Sequence, residues 1–168
     1  QLGSKLLLLA GRVQSKDDAL SLLRNTIRSN SAYEKLIELV KYQDGDISYI
    51  ENPDLLPKAN HIIKVKSEKK GYVKSLNAEE IGKAALTLGA GRITMDSVID
   101  LSAGIVLNKK VDDKVDIGDT LAYIHSNDID KAMDVKSDIE RLYIIGDKNK
   151  ETKKLIYGLI TKDGIELY

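Results

Sequence analysis

The chain has 168 residues, with 26 basic and 26 acidic side chains, so it offers no net charge to recruit nucleic acid or an anionic membrane. It contains no cysteine, which excludes disulfides, thiolate metal sites and a cysteine nucleophile. At 42% hydrophobic and 31% charged it is composed like a globular protein and is long enough for one or two small domains. No apolar run nears the roughly 18 residues of a membrane span.

The chain opens on Gln1, already inside an apolar helical pattern, so its N-terminus is expected to be a truncation or cleavage point. The spacing predicts a buried helix from Leu2 to about Val13. Leu6 to Leu9 lacks the flanks of a signal peptide. Ser15 with Asp18 reads as a capping box for a second helix carrying Leu20, Leu23 and Ile27. Ser31 with Glu34 reads as another, followed by Leu36, Ile37, Leu39 and Val40. Asp44-Gly45-Asp46 ends this helical stretch in a turn.

Both prolines fall between Asn52 and Asn60, which reads as an extended linker and a domain boundary. The division expected is a helical segment over 1–51, a linker over 52–60 and a second domain over 61–168. After the linker the period changes. His61 to Lys66 and Gly71 to Leu76 read as strands. Asn77 and Glu80 cap a helix bearing Ile81, Ala84, Ala85 and Leu88, which Gly89 stops. Met95 to Ala103 reads as a short helix. Ile105 to Leu107 and Leu121 to Ile124 read as strands joined by a polar, turn-rich segment from Asp112 to Asp119. A last helix carries Ile129, Ala132, Met133, Lys136, Ile139 and Tyr143, and Leu155 to Thr161 pairs with Ile165 to Tyr168 in a closing hairpin around Asp163-Gly164. Strands with interspersed helices after the linker give an α+β class.

Candidate chemistry is sparse. Gly89-Ala90-Gly91-Arg92 could present backbone amides and a guanidinium to an oxyanion. It ends a helix, however, where phosphate loops begin one, and it lacks the Gly-Lys-Ser/Thr continuation. The other reading is a helix stop and tight turn, with Arg92 pinning a carbonyl or carboxylate. His61 and His125 sit in no cluster with metal-ligand spacing. A triad of His125, Ser126 and Asp128 would require sequence neighbours to converge as nucleophile, base and orienter, so a strand-end hydrogen bond is the preferred reading. Asp17-Asp18 and Glu79-Glu80 suit helix starts electrostatically, and Asp112-Asp113 lies in a turn.

Three segments carry a family resemblance: Leu88-Gly89-Ala90-Gly91-Arg92, then Ile99-Asp100-Leu101-Ser102-Ala103-Gly104-Ile105-Val106-Leu107, then Gly118 to His125. Flanking pieces extend it from about Leu2 to Ile160: Gln43-Asp44-Gly45-Asp46, Leu55 to Ala59, Gly71-Tyr72-Val73 and Leu155-Ile156-Tyr157. In this order they resemble the C-terminal portion of the pyrimidine-nucleoside phosphorylases, the family that includes thymidine phosphorylase. The resemblance implies a helical segment followed by a compact, hammerhead-like α+β domain related to barrel-sandwich folds. It also implies a cytoplasmic, homodimeric parent enzyme that converts a pyrimidine nucleoside and phosphate to free base and a pentose 1-phosphate.

That family's phosphate and base sites lie upstream of Leu2, so no catalytic or substrate-binding residue is assigned, and the chain alone is expected to be inactive. Gly89, Gly91 and Arg92 are the candidates for a domain-closure edge. Some family members bind a cation partly through the helix matching Leu2 to Arg12. Gly11 falls where those members place a carboxylate, and glycine offers no side-chain oxygen to a hard cation. No metal and no cofactor are expected; phosphate is a co-substrate of the parent. The partner expected is the rest of that enzyme, with no nucleic acid and no membrane.

Two other readings stand beside this one. Gly71-Tyr72-Val73 and Val111 to Ile124 resemble strands of biotinyl- or lipoyl-type carrier domains, although no lysine flanked by methionines or acids at a hairpin tip follows from the sequence. A plain interaction module is the other; with eight tyrosines and no Trp or Phe, it has little material for binding hot spots.

Overall fold

Three helices make up most of the first of two units in the computed structural model, which describes residues 1–148 and 154–168. The units are Gln1–Leu56 and Pro57–Tyr168. In the first, α1 spans Leu2–Leu9, α2 Lys16–Arg28, α3 Ser31–Tyr42 and the short α4 Ser48–Glu51. α1 stops four residues before the predicted Val13. Gly11, at φ +63, donates to Leu8 O while Arg12 donates to Leu7 O, and this left-handed stop satisfies the last carbonyls of the helix.

The Ser15 half of its box forms, with Ser15 Oγ accepting from the Asp18 amide at 3.1 Å, but the Asp18 carboxylate accepts from the Ser15 hydroxyl at 2.6 Å rather than from the Ser15 backbone amide. The box at Ser31 does not form. Asn30, at φ 66, occupies the cap position, and Ser31 is the first helical residue, with its hydroxyl turned back to Thr26 O at 3.3 Å. A two-residue connection between α2 and α3 forces that left-handed step, leaving Ser31 no room to cap. Nor is Asn52 to Asn60 extended throughout. Pro53–Leu55 forms one 3₁₀ turn, with the Asn52 side chain accepting from the Asp54 amide. Of the 56 residues in this unit only Ser4 and Ala19 are buried, and Leu2, Leu6, Leu9, Ile27, Leu36, Leu39 and Tyr42 are exposed.

The second unit runs β1 His61–Lys66, β2 Gly71–Ser75, α5 Ala78–Thr87, β3 Gly104–Leu107, β4 Lys114–Val115 and β5 Thr120–Ser126. It continues with α6 Ile129–Leu142, β6 Ile144–Gly146, β7 Gly158–Thr161 and β8 Gly164–Leu167. Two three-stranded antiparallel sheets, in orders β1-β5-β3 and β4-β2-β6, stand beside a separate β7-β8 hairpin, and the fold is α+β. β4 and β6 are too short for a periodic signal. Each exists because β2 offers it a hydrogen-bonding edge.

The core gathers Val65, Leu121, Ala122 and Ile124 from the first sheet and Val73 and Val115 from the second, sealed by Ala84 of α5, by Leu88 at its C-cap and by α6. The buried stripe of α6 is Ala132, Val135 and Ile139, whereas Met133 and Ile129 are partly exposed. The predicted stripe is therefore rotated, because α6 must face both α5 and the first sheet. Met95 to Ala103 is not helical. Ser97 Oγ accepts from the Thr94 amide and the Asp100 carboxylate from the Ser102 amide, so short polar side chains take the bonds a helix would need. In the hairpin, Ile160 pairs with Ile165, and regular pairing begins only at Gly158, later than the predicted Leu155.

Tyr143, just past α6, is buried in this core. Its hydroxyl lies 2.8 Å from Lys109 O and 3.0 Å from Leu121 O, tying the helix end to the connection between β3 and β5. Burial, with the nearby Asp113 carboxylate, pushes its pKa up to about 12. The neutral phenol is thus favoured in the folded state. Its contribution is complete below the unfolded value near 10 and is lost as pH rises toward about 12. Tyr143→Phe is expected to cost about 1 kcal/mol at neutral pH and to flatten the fall of stability between about pH 10 and 12, read by urea unfolding at each pH. From the burial contrast, amides of residues 20–40 are expected to exchange with deuterium at least about tenfold faster than those of Leu121 to Ile124.

Candidate functional site

The end of α5 sets the geometry of the region that carries Gly89, Gly91 and Arg92. Leu88 is the last helical-like residue, and Gly89 follows at φ +97, a left-handed conformation that side chains resist. Its amide donates to Leu86 O at 2.9 Å, and the Ala90 amide donates to Ala85 O at 3.1 Å, so two orphan carbonyls of α5 are satisfied by one turn. A Cβ on Gly91 would lie 3.0 Å from Leu86 Cδ2. The two glycines therefore serve the chain reversal, and their amides at 89 and 90 are already used.

Arg92 emerges from this turn exposed, with no hydrogen bond or ion pair among the described residues. Beyond it the chain runs irregularly to Ala103 and turns apolar side chains outward, four of them more than three-quarters exposed: Ile93 is 76% exposed, Met95 93%, Val98 91% and Leu101 80%. Four large apolar groups within nine residues, beside an unpaired guanidinium, are unusual for a solvated loop.

The far end of this loop is fixed by polar bonds. The Asp100 amide donates to Gly89 O at 2.9 Å, closing the loop on the helix stop. Asp100 Oδ1 accepts from the Ser102 amide at 2.9 Å and from its hydroxyl at 2.7 Å. Asn127, immediately after β5, donates from Nδ2 to Asp100 Oδ2 at 2.8 Å and to Ser102 Oγ at 2.9 Å. Those bonds, from Ser102 first and then Asn127, hold the Asp100 carboxyl below the usual carboxylate range. An Asp-x-Ser pair marks a local turn in sequence, but nothing in sequence joins it to a residue 27 positions away.

Neither histidine belongs to this region's chemistry. His61 pairs with Ser126 across β1 and β5, and His125 pairs with Ile62 and Gly104. Directly opposed residues share a sheet face and successive ones alternate, so His61 and His125 point to opposite faces. The same alternation separates His125 from Ser126. Ser126 is fully buried, its hydroxyl donating to Asp128 O at 2.9 Å and accepting from the Asp128 amide. Asp128 caps α6, accepting from the amides of Lys131 and Asp130 at 3.1 Å each, and the bond from Lys131 first of all lowers its pKa. Ser126 and Asp128 are thus committed elsewhere, and His125 faces away from both the Ser126 hydroxyl and that cap. A cleft between the β1–β2 turn and the end of α6 is lined by Lys66, Glu68, Lys69, Glu140 and Arg141, an alternation of charge that defines no anion site. Among the described residues no group of three or more potential metal ligands converges. Between the two segments that resemble carrier domains lie α5 and the 90–103 loop instead of a lysine-tipped hairpin.

Residues 72–146 match the family model of the pyrimidine nucleoside phosphorylase C-terminal domain. The chain is 41% identical over 163 residues, 96% of its length, to the pyrimidine-nucleoside phosphorylases of Staphylococcus aureus strains USA300 and NCTC 8325 / PS 47. It is 45% identical over 126 residues, 75% of its length, to that of strain MSSA476. It spans only 37% of the first two relatives and 29% of the third.

Because Gly89 is left-handed and faces Asp100 Cβ at 3.5 Å from where its own Cβ would lie, Gly89→Ala is expected to cost about 1–3 kcal/mol in thermal or urea unfolding. Gly82→Ala, at an open helical position, should be neutral or stabilising by up to about 1 kcal/mol.

Proposed function

We propose, for a chain that belongs to the pyrimidine-nucleoside phosphorylase family by its C-terminal portion, that it serves such an enzyme as a structural and closing element rather than as the seat of catalysis. The reaction served is phosphorolysis: a pyrimidine nucleoside and phosphate give free base and a pentose 1-phosphate. Its transition state is oxocarbenium-like and must be shielded from water, and closure of one rigid body on another is a common way to shield it. The second unit would be that body. The first, which buries so little of its own apolar surface, would complete its core against the rest of the enzyme. We further propose that the assembled enzyme is a cytoplasmic homodimer.

One observation carries this reading: the outward-facing Ile93, Met95, Val98 and Leu101, beside an Arg92 that bonds to nothing described. A loop that only reversed the chain would have no use for such a surface. An edge meeting a cleft would, with the apolar groups excluding water and Arg92 reaching a carboxylate across the gap.

Two measurements test the proposal. The pure chain is expected to release no base from thymidine or uridine in phosphate buffer by ultraviolet assay; sustained release would overturn the assignment. In a phosphorylase carrying this chain as its C-terminal portion, Arg92→Ala is expected to lower turnover by about tenfold. As an exposed, unbonded residue it should change stability by no more than about 0.5 kcal/mol. A large stability loss with normal turnover per folded molecule would assign the arginine to its own turn.

A further inference from the structure

Asn127 occupies a position that the closure reading does not use. Its side chain is shared between two segments that are otherwise separate in sequence. On one side Nδ2 donates to Asp100 Oδ2 and Ser102 Oγ, which hold the end of the apolar loop. On the other, Oδ1 accepts from the backbone amide of Asn60 at 2.9 Å. Asn60 is the last residue before β1, at the end of Pro57–Asn60, the stretch by which the chain enters the second unit. A single amide group, with its oxygen and nitrogen both engaged, therefore bridges the entry segment and the loop. Asp100 extends the bridge, because its own amide bonds Gly89 O at the end of α5.

We propose that Asn127 is a positioning residue that couples the entry segment Pro57–Asn60 to the projecting loop 90–103, so that displacement of one is transmitted to the other through the Asn60–Asn127–Asp100 bridge. An asparagine suits the task because it alone among short side chains offers a donor pair and an acceptor on one rigid plane. Aspartate could accept from Asn60 but would face the Asp100 carboxylate with like charge; serine is too short to reach both. Both segments are irregular backbone, and the bridge links each of them to the end of the buried strand β5. The geometry is read from this chain itself; its bearing on closure rests on the proposed function.

The test is amide hydrogen exchange on this chain, resolved by residue, without substrate, so its outcome is independent of whether the loop closes on anything. Asp100→Ala removes a residue that hydrogen-bonds to Gly89, Ser102 and Asn127 and not to Asn60. It is expected to accelerate exchange at the Asn60 amide as well as at Ser102, each by about threefold or more, while Leu121 to Ile124 stay protected. Faster exchange at Ser102 with Asn60 unchanged would overturn the proposal, reducing Asp100 to a local turn.

The reciprocal exchange decides the matter where a single substitution costs too much stability. Asn127→Asp alone opposes two carboxylates and should loosen both segments, whereas Asn127→Asp combined with Asp100→Asn restores a donor facing an acceptor. The double variant is expected to bring Asn60 and Ser102 exchange back to within about twofold of the parent chain. A double variant no better protected than Asn127→Asp, or one that does not fold, would overturn the bridge.

Discussion

The second unit depends on β5 being hydrogen-bonded along both edges while it is buried. β1 and β3 flank it antiparallel, α6 lies against it, and Leu121, Ala122, Ile124 and Ser126 are removed from water. A strand in that position can leave none of its peptide groups unpaired, because each such group would cost about 1–3 kcal/mol. Leu121 O shows how far this goes, accepting from the amides of Asn108 and Lys109 and lying within bonding distance of the Tyr143 hydroxyl. The β3–β4 connection, the start of β5 and the end of α6 are thereby held at one carbonyl. Around that centre the remaining elements need only offer an apolar face.

The same centre explains where exposed apolar groups are tolerated and where they are not. Near β5 the core is closed, with no described buried side-chain polar atom lacking a partner. Away from it, in the 90–103 loop, in the β7–β8 hairpin and over the helices of the first unit, large apolar side chains face outward. A two-stranded hairpin is at best marginal in water on its own, and helices with two buried residues among 56 gain little from packing. The chain spans 37% of the length of the curated relatives it matches. Composition hides these surfaces, since 42% hydrophobic residues is ordinary whether or not the residues are covered.

The loop after α5 joins both themes. Its first residues satisfy the helix, its last are held by Asp100, Ser102 and Asn127, and between them the apolar side chains project. Polar side chains do the holding because the loop has no apolar core of its own. The same bonds, from Ser102 and then Asn127, favour the charged form of Asp100 and lower its pKa. Rigidity at the ends with exposure in the middle is the physical content of a presented surface.

Local chemistry sufficed for much of the fold. Ser15 and Asn77 begin their helices as short polar caps, Gly89 stops α5, and the short apolar-rich runs over His61 to Lys66 and Leu121 to Ile124 mark strands. These were legible because each rests on residues within one helical turn or one strand of each other. The motifs around Gly89, Asp100 and Gly118 pointed to the family for the same reason: they are contiguous runs. What tertiary structure decided was every feature with a distant partner. β4 and β6 exist because β2 receives them, and the buried stripe of α6 is set by what it packs on. Met95 to Ala103 stays irregular because Asp100 is bonded to Gly89, Ser102 and Asn127 rather than to a helix. The opposite facing of His61 and His125, and the bridge from Asn60 through Asn127 to Asp100, follow from strand register and from the placement of strand ends, which one-dimensional spacing does not encode.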